Sequence, residues 1–110
     1  MNIIEYIKQA FAYIKNVVRK IINGCINFFS HIVNWFKSLP LNQKRDIPFI
    51  ANANEFKEML KTAPTKKVGI FEGVYNDETE EITHHTYLDA ESVDRETYNL
   101  LANDNLVVLQ

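Results

Sequence analysis

Residues 2–37 read NIIEYIKQAFAYIKNVVRKIINGCINFFSHIVNWFK, and the spacing of their apolar side chains decides the fold expected of the chain. Ile4, Ile7, Phe11, Ile14, Val18, Ile21, Cys25, Phe28, Ile32 and Trp35 follow one another at alternating steps of three and four, which is the seam of a heptad repeat. The opposite ridge, Asn2, Gln9, Asn16, Asn23, Ser30 and Lys37, is polar throughout. The stretch contains no proline and only one glycine, Gly24. This pattern predicts one long amphipathic helix within residues 1–39, and some 36 helical residues would extend roughly 54 Å. A two-stranded coiled coil carries charges beside its seam, yet here Ile3, Ala10 and Val17 stand on one side and Ile22, Phe29 and Phe36 on the other. So wide a stripe asks for a partner surface. The expected partner-binding residues are Ile4, Ile7, Phe11, Ile14, Val18, Ile21, Cys25, Phe28, Phe29, Ile32, Trp35 and Phe36.

Charge divides the chain at the same place. Residues 1–45 hold seven Lys or Arg against one acid, a net +6, and residues 46–110 hold five against thirteen, a net −8. An imbalance of this kind points to an interaction segment joined to a folded body. Asn and Ile occur twelve times each and Lys nine times; all three are specified by A/T-rich codons, as in the genomes of many bacteria, phages and mobile elements. The chain of 110 residues suits one small domain with an appendage. Its one cysteine allows no intramolecular disulfide. The uncharged run from Ile21 to Phe36 is 16 residues with three Asn, short of a membrane span, and Glu5 before it does not suit a signal peptide.

Leu39-Pro40 ends the helical pattern. Residues 40–46 then read as a linker, and residues 47–110 as a small acidic α+β domain. Ile47 to Ala51 suits an edge strand, and Asn52 with Glu55 resembles a capping box opening a helix from Ala53 to Thr62. Lys67 to Tyr75 and Glu81 to Leu88 alternate around NDETE as a β-hairpin. A further helix runs to about Ala102, and Leu106 to Leu109 forms a last strand. The resulting βαββαβ sequence is the ferredoxin-like order. Apolar matching of Val74 with Ile82 and Val68 with Leu88 sets Glu72 opposite His84, a candidate polar pair.

Little here names a reaction. His84 and His85 point to opposite faces of a strand and cannot share a metal, so no metal or cofactor site is expected. Cys25 lies on the apolar seam, and Gly69 and Gly73 lack the spacing of a phosphate loop. Phe71, Tyr75, Tyr87 and His85 could share an aromatic face, but a domain at −8 would repel phosphate, so nucleic acid is not expected as a partner. The expectation is therefore a non-catalytic structural or assembly protein, cytoplasmic or virion-associated and not secreted. It would oligomerise or dock on a protein partner through residues 1–37, and a virion or mobile-element component fits this size and codon usage. Two alternatives rest on other features. A basic amphipathic helix could lie on a bilayer surface, and the acids Asp77, Glu78, Glu80, Glu81, Asp89, Glu91, Asp94 and Glu96 could mimic nucleic acid in an inhibitor.

Overall fold

The structure, a computed structural model, describes residues 2–109. They form an α+β fold on a mixed five-stranded sheet. Helix α1 (Ile3–Ala10) opens the chain, N-capped by the Asn2 side chain, and tightens into a 3-10 turn at Phe11–Tyr13. Strands β1 (Arg19–Ile21) and β2 (Cys25–Ile26) follow. A π-helical turn (Phe28–Val33) continues into the short helix α2 (Asn34–Lys37). The rest comprises β3 (Asp46–Asn52), α3 (Lys57–Leu60), β4 (Val68–Asn76), β5 (Glu81–Ala90), β6 (Ser92–Val93), α4 (Arg95–Leu101) and β7 (Leu106–Val108).

The long N-terminal helix is corrected by this structure. Helical geometry stops at Tyr13, and a body measuring 37 × 27 × 26 Å has no room for a 54 Å rod. Three features of the sequence account for the stop. Val17, Val18, Ile21, Ile22 and Ile26 are β-branched and fit strands better than helices. Asn23-Gly24 is a turn pair, and Gly24 takes φ +83°, a conformation closed to a helix. Arg19 meets an acid some seventy residues away, Asp89 at 2.5 Å, which holds β1 against β5. Between residues 18 and 26 the seam is accordingly turned outward: Ile22, beside it in the helical reading, and Ile26, off it, are buried, while Val18, Ile21 and Cys25 on it are exposed.

The sheet runs in the order β1-β5-β4-β3-β7, and β2 pairs separately with β6. Along the chain, residues 46–108 run strand, helix, three strands, helix, strand, with β6 added to the expected order. Their arrangement differs from the split βαβ form, since β4 returns antiparallel and directly beside β3. Asn52 accepts from Asn54 N–H at 3.1 Å and Ala53 N–H donates to the Gly69 carbonyl at 2.9 Å, which ties the start of the connection to the start of β4, and α3 within that connection is one turn long.

Each face of the sheet carries its own core. Under α1 lie Phe49, Phe71, Tyr75 and Tyr87 with Ile7, Ala10 and Phe11, and the Phe11 ring meets Phe56 and Phe71 edge-on at 5.3 and 5.4 Å. Gly73 makes space for this layer, because a Cβ there would stand 2.8 Å from the Phe49 ring. Under the 28–37 segment and α4 lie Ile50, Ile70, Leu88 and Ala90 with Ile22, Ile26 and Ile32. Residues from both sides of the 40–46 linker thus share each core.

Candidate functional site

The hairpin register places the candidate polar pair apart. Val74 faces His84, Glu72 faces Thr86, Ile70 faces Leu88 and Val68 faces Ala90, two residues from the match expected from apolar pairing. A bulge between Val74 and Tyr75 absorbs the difference at the turn, where Tyr75 faces Ile82. Apolar matching could not exclude this register, since a shift of two keeps every side chain on its face. Glu72 is 0% exposed, on the central strand between Ile70 and Val74, and neither carboxyl oxygen has a hydrogen-bond partner among the described residues. Burial pushes its pKa up to about 9, against a small opposing pull from the Lys20 charge. His84 is half-buried and approaches the Thr83 hydroxyl at 3.1 Å.

His85 lies on the other face, stacked on Phe71 with centroids 5.5 Å apart, and its Nε2 stands 3.0 Å from the Asn16 carbonyl. Burial lowers its pKa, only partly offset by that carbonyl. The aromatic face of the hairpin is therefore covered by α1 and the segment after it. Among the described residues no three His, Cys, Asp or Glu side chains come together as a metal site would require, and no helix is long and apolar enough to cross a membrane.

The strongest polar constellation brings together residues that the sequence does not point to as a group. Asp89 is fully buried, and its Oδ2 accepts from Arg19 Nη1 at 2.5 Å and from the Thr65 amide and hydroxyl at 2.7 Å, while Oδ1 accepts from Lys66 N–H at 2.9 Å. Burial alone would raise the Asp89 pKa, but these hydrogen bonds hold it below the ordinary carboxylate range. The Arg19 guanidinium also lies over the Tyr87 ring at 4.4 Å and donates to the Ala63 carbonyl. A lone arginine in an apolar stripe and an aspartate at the end of an apolar strand were the available signals. All of these groups are committed to one another, so the cluster fastens β1 to the sheet.

What β1 offers outward is different. It runs parallel to β5, and Tyr87 N–H donates to the Val18 carbonyl while Ile22 N–H donates to the Asp89 carbonyl. In a parallel ladder the peptide groups of alternate residues point to opposite sides. Lys20 therefore bonds β5, and the N–H and C=O of Arg19 and Ile21 face away from the sheet. Beside them Val18 is 59% and Ile21 46% exposed. Of the other expected partner-binding residues, Ile7, Phe11 and Ile32 are buried in the core, Ile4, Ile14, Phe28, Trp35 and Phe36 are half-buried, and Cys25 and Phe29 are exposed away from this edge on other elements. Val18 and Ile21 are the exposed part of the stripe that lies at an open sheet edge.

Compared with protein families, curated proteins and solved structures, the chain matches none of them.

Proposed function

We propose that this protein is a non-catalytic structural component that assembles with further copies of itself, and that the open edge at β1 takes part. The observation that carries the reading is the coincidence of free peptide groups on β1 with the exposed apolar side chains of Ile21 on that strand and Val18 just before it. An edge that is both unpaired and apolar is a template for another strand. Asp89 supports a structural role as well, since hydrogen bonds saturate its carboxylate and tie it to β1. A place in a virion or in the machinery of a mobile element, inside a cell or a particle, remains the setting that size and codon usage favour.

The membrane alternative loses its main support, because the apolar face of α1 is spent on the core through Ile7, Ala10 and Phe11. The acidic-mimic alternative loses two of its charges to internal roles, Asp89 in the Arg19 cluster and Asp94 as the N-cap of α4.

Sedimentation over a range of protein concentrations, with and without anionic vesicles, tests the proposal. The expected result is a mass above the 12.8 kDa of one chain that rises with concentration, with no protein pelleting on the vesicles. A mass fixed at 12.8 kDa throughout, or sedimentation with lipid, overturns it.

A further inference from the structure

The sheet has a second open edge. Among the described residues strand β7 pairs on one side only, antiparallel with β3, through Asn52 N–H to the Asn105 carbonyl and Leu109 N–H to the Pro48 carbonyl, both 2.8 Å. By the same alternation Val107 bonds β3, and the N–H and C=O of Leu106 and Val108 face outward. Each end of the sheet is thus a three-residue strand with two residues' peptide groups unpaired, Arg19 and Ile21 at one end and Leu106 and Val108 at the other.

Building on the proposed self-assembly, we infer that the occupant of the β1 edge is the β7 edge of a second copy, so that copies add head to tail and continue one sheet. Direction permits it. Strand β1 runs with β5, β5 against β4, β4 against β3 and β3 against β7, so β1 and β7 run in opposite senses and meet as an antiparallel pair. Facing permits it too. Arg19 and Ile21 share the α1 face with their partners Tyr87 and Asp89, and Leu106 and Val108 share that face with Ala51 and Phe49. The pairing then sets Ile21 beside Leu106 and keeps both cores continuous across the junction.

Charge selects this pairing over the symmetric one. Strand β1 belongs to the basic half of the chain and carries the exposed Lys20, while β7 belongs to the acidic half and has Asp104 and Glu55 beside it. Lys8 also reaches the β7 side, but lies 3.4 Å from Glu5. Two β1 edges could satisfy both outward residues only with Lys20 opposite Lys20, a like-charge cross-strand pair. The contact is therefore between unlike surfaces, which generates rings or open filaments rather than a closed dimer.

Proline blocks an edge without costing an internal bond where the amide already points outward. Ile21→Pro closes β1, Val108→Pro closes β7, and each leaves the other edge free. In sedimentation at concentrations where the parent assembles, each variant alone should remain at the mass of one chain, and an equimolar mixture should form a dimer and stop there. Ile21→Lys and Val108→Lys repeat the test by charge in case a proline unfolds its strand, and the circular dichroism of every variant is compared with the parent. Assembly by Val108→Pro alone would mean β1 pairs with itself. Assembly by both variants alone would place the contact elsewhere. Either result overturns the head-to-tail contact while self-assembly stands, whereas a parent that never exceeds one chain removes both.

Discussion

Glu72 and Asp89 are both fully buried carboxyl groups on neighbouring strands, and their surroundings send them in opposite directions. Asp89 ionises easily because four donors surround it. Its folded pKa lies below the unfolded value, so its contribution to stability is present above the unfolded pKa and is lost as pH falls through the folded one. Glu72 has no donor and is neutral in the fold. Its pKa rises from 4.5 to about 9, so its contribution is full below 4.5 and is lost as pH climbs toward 9, with a limiting slope of about 1.4 kcal/mol per pH unit. The two together predict greatest stability in mildly acidic buffer. Glu72→Leu should flatten the alkaline limb and raise Tm at pH 8, because an apolar side chain removes an unsatisfied buried group; urea titrations at several pH values check this, and an unchanged alkaline slope contradicts it. Arg19→Ala, which strands the Asp89 charge, should cost roughly 3–5 kcal/mol at neutral pH. A loss under about 1 kcal/mol in the same titrations, the range of an exposed ion pair, would mean that the cluster does not fasten β1.

The elements show what was legible in the sequence and what was not. The hairpin, the strand at 46–52, the last strand and the helix before it follow from alternation and turn residues that act over a few positions, although the strand at 46–52 lies between β4 and β7 and not at the edge that Pro48 suggests. The α1 face was legible as well, since Ile7 and Phe11 point inward as their spacing implies. Residues 14–26 were not, because a three-four apolar spacing can be satisfied by short strands and turns when β-branched residues and an Asn-Gly pair interrupt it. What decided there was a contact at long range, Arg19 with Asp89, to which no window of local sequence gives access. The hairpin register failed for a related reason: two registers preserve the same faces, and the bulge at Val74 and Tyr75 chose between them. In the turn between β1 and β2, Gly24 holds φ +83° and a Cβ added there would meet no atom within 4 Å, so the strain of Gly24→Ala is conformational alone. That substitution should lower stability by about 1 kcal/mol; a neutral result in thermal unfolding would show that the turn accepts a helical φ.

At the scale of the whole molecule, residues 19–21 are the outermost strand of the sheet, and their free side is where the proposed assembly adds another copy. Amide hydrogen exchange followed residue by residue at low and high protein concentration tests both at once. Lys20 and Ile22, whose amides bond β5, should exchange slowly at every concentration, while Arg19 and Ile21 should exchange quickly when dilute and slowly once copies assemble. Rapid exchange at Lys20 and Ile22 would contradict the strand, and exchange at Arg19 and Ile21 that ignores concentration while the mass of the particle rises would contradict its role as the joining edge.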